Sequence, residues 1–157
     1  MERLAVLAVA QRLPGWAEDA CADYLRHMPR GFETRRIAVK PEARTAGRPG
    51  GEILLREAQR LRAAVPADAV MVALDERGKD LSTREFAALL RRSLDGGDRL
   101  AFLIGGPDGL DATLKSECRM LLRLSSLTLP HALAQLLLCE QLYRCAQLLT
   151  GHPYHRD

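Results

Sequence analysis

The sequence predicts an α/β fold with a mainly parallel sheet and flanking helices. Three observations lead to this prediction. Short apolar runs recur along the chain, segments of helical periodicity separate them, and no internal repeat, low-complexity segment or linker interrupts the alternation. Because parallel strands need long crossover connections, which helices usually supply, the alternation favours a parallel sheet. The 157 residues fit a single domain, 1–157, large enough to bury its own core.

The first three elements follow from their apolar patterns. The run "LAVLAVA" (4–10) has no polar interruption, which is typical of a strand covered on both faces. Residues 14–29 have helical spacing and begin with proline and glycine. Their predicted apolar stripe consists of Trp16, Ala20, Tyr24 and Met28. The segment "FETRRIAVK" (32–40) alternates apolar and polar residues, so it predicts a more exposed strand.

Residues 41–51, "PEARTAGRPGG", form the clearest loop, because they contain two prolines, three glycines and two arginines. We interpret this loop as a flexible surface connection. The alternative is a basic loop that becomes ordered on RNA, since binding residues often lie on loops.

The second half repeats the alternation. A capping box of Ser82 and Glu85 predicts where one of its helices begins, and Pro130 predicts the start of the last helix. The predicted elements are a helix at 52–64, a strand at 69–75, a helix after Ser82, a strand at 99–106, a short helix at 111–119, the segment "LLRLSSLTL" at 121–129, and a long helix to about residue 150.

Composition narrows the classes of function. The chain has 23 basic and 20 acidic residues, and its net charge of +3 permits an anionic partner without requiring one. The four cysteines form no C-x-x-C pair and no signal peptide precedes them, so we expect reduced thiols in a cytoplasmic protein. The last apolar stretch contains Glu140 and Arg144, which argue against a membrane span.

Three of the predicted strands end in unusual sequences. Ligands of open parallel sheets bind outside the carboxyl ends of the strands, so these ends are candidate binding sites. The first is "ALDERGKD" after the third strand, the second is "LIGGPDGL", and the third is "LSSLTLPH". The glycines of the second are either an ordinary tight turn or a place where backbone approaches a flat ligand closely. The hydroxyls of the third could hydrogen-bond a base edge and a ribose. None of the three contains a nucleophile–base pair or metal-like spacing, so they predict a cofactor site without a covalent catalyst.

The last helix carries leucine or cysteine on nearly every face. Such a helix must be covered all round. We expect one side to face the sheet and the other a second subunit, which predicts a homodimer.

Several stretches together resemble the RlmH family of SPOUT-class methyltransferases, which methylate a pseudouridine of 23S ribosomal RNA. The resemblance covers nearly the whole chain. It rests on "DYLRHMP" (23–29), "VALD…GK" (72–79), "LIGGPDGL" (103–110) and "LSSLTLPHALAQLLLCEQLYRCAQLLTGHPYHR" (124–156). It implies a C-terminal trefoil knot (the SPOUT or α/β-knot fold), an exception to the rule that chains are unknotted.

The resemblance also implies a cofactor and its site. S-adenosylmethionine would bind in the knot, and the family's cofactor positions fall on Leu74, Gly105, Leu124, Ser125, Ser126, Leu127, Thr128 and Leu129. Those residues lie at the three strand ends described above.

The family works as a homodimer in which the tail of one subunit completes the active site of the other. By resemblance, the catalytic candidates are His152, Tyr154, His155 and Arg156. The H-x-x-H spacing within the tail could also bind metal, but no cysteine or carboxylate pattern accompanies it, so we expect no metal. His131, at a helix start, is expected to be a hydrogen-bonded structural residue.

The implied reaction is methyl transfer to N3 of a pseudouridine in 23S ribosomal RNA. Because the charge is mild, we expect the substrate to be the large ribosomal subunit or the whole ribosome rather than naked RNA. One alternative is a non-enzymatic ribosome-associated factor that retains the knotted fold. Another is a dinucleotide-binding oxidoreductase, which is disfavoured because no G-x-G-x-x-G follows the first strand.

Overall fold

The computed structural model describes residues 2–151, and within them strands and helices alternate. The elements are β1 (Leu4–Val9), α1 (Gly15–Arg26), β2 (Thr34–Val39), α2 (Gly50–Ala64), β3 (Ala69–Asp80), α3 (Thr83–Asp95), β4 (Arg99–Ile104), α4 (Ala112–Glu117), β5 (Met120–Arg123) and α5 (His131–Thr150). The predicted order of elements is confirmed. The capping box at the start of α3 is confirmed as well, because Glu85 N donates to Ser82 Oγ and Ser82 N donates to Glu85 Oε1.

The five strands form one sheet in the order β2-β1-β4-β3-β5, and every strand pair in it is parallel. The predicted α/β class is therefore confirmed. The implied trefoil knot stays a prediction. Strand β3 extends five residues beyond the predicted 69–75, because it continues to pair with β5 across a register shift between Leu74 and Lys79.

The two faces of the sheet have separate cores. On one face of the sheet, α3 and α5 pack on the side chains of β1 and β4 that point to that face. Phe102 is completely buried there and makes an edge-on contact with Phe86. On the other face, α2 and α4 contribute Leu61 and Leu114 to a second cluster. Burial on both faces explains why β1 and β4 read as continuous apolar runs.

Helix α1 packs on α5, and its predicted stripe is wrong at Trp16, which is 56% exposed. The fully buried residues of α1 are Ala17 and Cys21, which meet Cys139 of α5. Tyr24 of the predicted stripe packs against the same cluster. The most buried positions therefore lie one residue further along the helix than predicted.

Helix α5 is covered by more of its own chain than the sequence suggested. Leu138, Leu142 and Cys145 face the sheet core, and both α1 and α3 contact the helix. Leu133 remains 41% exposed. Part of the apolar surface that predicted a second subunit is thus buried within the chain.

Candidate functional site

A cavity of about 1590 Å³ opens at the carboxyl ends of the strands. Its walls come from the segments that follow β1, β2, β4 and β5 and from the part of β3 beyond Leu74. The wall includes all eight predicted cofactor residues: Leu74, Gly105, Leu124, Ser125, Ser126, Leu127, Thr128 and Leu129. The three unusual strand ends therefore lie around one space, as expected for an open parallel sheet.

The glycine turn, residues 105–109, forms one wall of the cavity. A Cβ atom on Gly105 would lie 2.5 Å from the backbone C and O of Gly109, which no side chain could tolerate. Gly109 N donates to Gly106 O at 3.0 Å and has a φ of +80°, so it too favours glycine. The interpretation of "IGGPDG" as a tight turn is confirmed, and close approach of its backbone to a flat ligand stays a prediction.

The hydroxyl segment, residues 124–129, forms a second wall and has no regular structure. Ser126 and Thr128 are exposed, and Leu127 is exposed by 74%, more than any other large apolar residue within 2–151. Ser125 Oγ accepts from Leu127 N at 2.9 Å, which holds the bend locally. This wall offers hydroxyls, backbone groups and apolar surface to a ligand.

An ion pair lies at the base of the first strand end. Lys115 Nζ donates to Asp75 Oδ2 at 2.9 Å, and Arg77 N donates to Asp75 Oδ1 at 2.7 Å. Burial opposes ionisation of Asp75, but these hydrogen bonds outweigh it and lower the pKa of the carboxyl. Asp75 is therefore a fixed negative charge in the cavity wall.

His131 also lines the cavity, and the sequence did not identify it as a site residue. Its Nε2 lies 2.8 Å from Nε2 of Gln135, and the ring hydrogen-bonds the backbone of Gly105. Burial lowers the pKa of His131, and the bond to Gly105 offsets part of that effect. The expected structural hydrogen bonding is confirmed, and its partner is Gln135, one turn further along α5. The sequence signal that could have pointed to His131 was the proline before it. That proline fixes where the helix begins and so places His131 at the helix start.

The ionic loop, residues 41–49, forms a third wall of the cavity. It is shorter than the predicted loop, because α2 begins at Gly50 rather than at the predicted residue 52. Its two arginines face carboxylates of the same chain. Arg44 pairs with Glu57 and Asp108, and Arg48 pairs with Glu42. These contacts do not support the alternative in which both arginines are free to bind RNA, and no local sequence pattern revealed them.

The remaining predicted residues cannot be placed. His152, Tyr154, His155 and Arg156 lie outside the described residues. Within residues 2–151, no cluster of three or more histidine, cysteine and carboxylate side chains is arranged to hold a metal ion. In the same range, no helix has both the length and the apolar character of a membrane span.

The chain is similar to known methyltransferases along nearly all of its length. A family model described as "Predicted SPOUT methyltransferase" matches residues 2–155. Ribosomal RNA large subunit methyltransferase H of Bordetella pertussis is 48% identical over 154 residues, which cover 98% of this chain and 99% of that protein. The protein of the same name from Methylibium petroleiphilum is 51% identical over 156 residues, which cover 99% of both chains.

Structural similarity points the same way for the fold. A crystal structure described as a probable methyltransferase from Bordetella pertussis superposes with a TM-score of 0.61, covering 92% of this chain and 95% of that one at 20% identity. At that identity the likeness shows the fold alone, whereas the family model and the curated relatives show the family. The chain belongs to the SPOUT methyltransferase family.

Proposed function

We propose that the protein transfers a methyl group from S-adenosylmethionine to the RNA of the large ribosomal subunit. The observation that carries the proposal is the cavity, because all eight residues expected to hold the cofactor lie in its wall. Its volume of about 1590 Å³ exceeds the roughly 300–1,000 Å³ of an ordinary small-molecule site. The excess leaves room for a substrate base beside a cofactor.

The chemistry of the walls fits this cofactor. The glycine turn offers backbone groups at the cavity wall, and the leucines of the hydroxyl segment supply apolar surface for a flat adenine. Ser126 and Thr128 are exposed and can hydrogen-bond a ribose or a base edge. The bound sulfonium would supply an activated methyl group, so the protein needs no nucleophile of its own. The chain's task is to align the methyl group with the accepting atom.

We further propose that the acceptor is N3 of a pseudouridine and that the tail of a second subunit completes the site. His152 or His155 would take the N3 proton, since imidazole titrates near neutral pH. Arg156 would stabilise the imide anion, and Tyr154 would stack on or hydrogen-bond the base.

Exposed apolar side chains on two helices that contact each other support a homodimer. Trp16 of α1 and Leu133 of α5 are exposed by 56% and 41%. A mild net charge of +3 supports a folded ribosomal substrate, whose shape would add contact area that naked RNA lacks.

The test is calorimetric titration of S-adenosylmethionine, followed by methyl transfer to ribosomes that lack the modification. Binding with transfer confined to N3 of one pseudouridine would establish the function. Binding without transfer would favour the non-enzymatic ribosome-associated factor, and absence of binding would overturn the proposal. Equal methylation of a short stem-loop and of whole ribosomes would contradict the ribosomal context alone.

A further inference from the structure

We propose that Arg44 is a positioning residue that fixes the glycine turn of the cavity in the shape that binds the cofactor. It would do so by joining three separate parts of the fold: the ionic loop, helix α2 and the glycine turn. The inference rests on the proposed function, since it concerns affinity for S-adenosylmethionine. It adds a residue outside the eight expected cofactor positions.

The anchor of the bridge is Glu57 on α2. Its side chain is only 3% exposed, and it accepts from Arg44 Nη1 at 3.1 Å and from Arg44 Nη2 at 3.4 Å. It also accepts from Glu42 N at 3.0 Å. A buried carboxylate holds its partners firmly, because leaving it unpaired would be costly. Glu57 therefore fixes both Arg44 and the start of the ionic loop to α2.

The other end of the bridge is the glycine turn. Arg44 Nε donates to Asp108 Oδ2 at 2.9 Å, across 64 positions of sequence. A Cβ atom on Gly106 would lie 3.4 Å from Arg44 Nη2, so the guanidinium also packs against the bare backbone of the turn. Arg44 thus holds the turn both by a charged hydrogen bond and by contact.

The donors of Arg44 are used within the chain. Besides its bonds to Glu57 and Asp108, Nη1 donates to Glu42 O at 3.2 Å, so four of its five N–H groups have protein partners. The planar fork of arginine suits this branched contact, and a lysine ammonium cannot reproduce it. Arg44 therefore acts on the turn and not on the carboxylate of the cofactor.

The experiment compares four variants with the wild type by calorimetric titration of S-adenosylmethionine and by thermal unfolding. Asp108→Asn removes the charge from the link to the turn but keeps the buried Arg44–Glu57 pair. Arg44→Ala removes the whole bridge, and Arg44→Lys keeps the charge without the fork. Arg62→Ala is the matched control, since Arg62 makes a two-point ion pair from helix α2, with Glu117 at 2.9 and 3.0 Å, away from the cavity.

We expect Asp108→Asn to weaken cofactor binding by about fivefold (about 1 kcal/mol) without lowering the melting temperature. Arg44→Ala should weaken it by about tenfold or more, Arg44→Lys should not restore it, and Arg62→Ala should bind like the wild type. Unchanged affinity in both Asp108→Asn and Arg44→Ala would overturn the inference. So would full affinity in Arg44→Lys, because charge alone would then suffice. Failure of the wild type to bind would instead refute the proposed function.

Discussion

The ionic loop (41–49) and the hydroxyl segment (124–129) line the same cavity but are held in opposite ways. The ionic loop is tied to helix α2 by charged side chains, among them Arg44 with Glu57 and Glu42 with Arg60. In the hydroxyl segment, Ser126, Leu127 and Thr128 are exposed, and the bend is held by the bond from Leu127 N to Ser125 Oγ.

The comparison distinguishes residues that hold a cavity wall in place from residues that remain available to contact a ligand. Charged groups that satisfy one another inside the protein hold a wall in place but have little left to offer a ligand. Exposed hydroxyls and apolar side chains remain available for binding. The glycine turn is joined to the ionic loop, because Arg44 Nε donates to Asp108.

The largest effect is expected at the connection itself. Gly105→Ala would place a Cβ 2.5 Å from the backbone of Gly109. The turn must shift, so we expect a loss of about 1–3 kcal/mol in the free energy of unfolding and loss of cofactor binding. Urea unfolding and calorimetry measure the two quantities. Gly51→Ala is the control, because a Cβ there meets nothing within 4 Å. Normal binding by Gly105→Ala would show that the turn is not part of the site.

The next effect tests the supporting wall. Glu57→Gln removes the buried charge that faces Arg44, and we expect a loss of about 1–2 kcal/mol in unfolding free energy, allowing for the partial exposure of Arg44. Glu117→Gln, in the exposed pair with Arg62, should cost at most about 0.5 kcal/mol. Equal losses of unfolding free energy in the two variants would mean that the burial of Glu57 does not strengthen the attachment of the ionic loop.

Substitutions in the hydroxyl segment should have the opposite effect and change cofactor binding rather than stability. Ser126→Ala and Thr128→Val remove hydroxyls that are exposed, so the melting temperature should not change. Each lost hydrogen bond to the cofactor should weaken binding by about three- to tenfold. Calorimetry and thermal unfolding on the same samples test both statements. A variant that unfolds earlier yet binds normally would reverse the assignment of the two walls.

The smallest effect concerns His131 and pH. Its pKa in the folded protein lies below the ordinary value of 6.5, mainly because of burial. Between these two values the unfolded chain binds more protons, so this group's contribution to stability is present above about 6.5 and is lost as pH falls through the folded pKa. The wild type should therefore lose stability more steeply than His131→Gln between about pH 7 and 5. Titration of the His131 ring by NMR at or above 6.5 would contradict this.

Local patterns predicted much of the fold and part of the site. Apolar runs and capping signals placed the strands and helices, and the expectation of a SPOUT methyltransferase is confirmed by the family model over residues 2–155. The end of β3 was missed because "ERGKD" is polar and resembles a loop. Its pairing depends on close approach of β5, where a Cβ on Gly78 would lie 2.7 Å from the backbone of Leu121 and Leu122.

The apolar stripe of α1 was wrong at Trp16 for a related reason. Periodicity identifies which residues share a face but not which face is buried, and large side chains suggested the face of Trp16. Packing against α5 instead selects the small residues Ala17 and Cys21. The roles of the eight cofactor residues stay predictions, as do those of His152, Tyr154, His155 and Arg156.

The sequence by itself determined the alternation of strands and helices and the three strand ends at which a ligand would bind, because these depend on residues close together in the chain. The tertiary structure decided the strand order β2-β1-β4-β3-β5, the burial of Glu57 and the bridge from Arg44 to Asp108. These features join positions far apart in the chain, and such pairings depend on three-dimensional packing that no local spacing encodes.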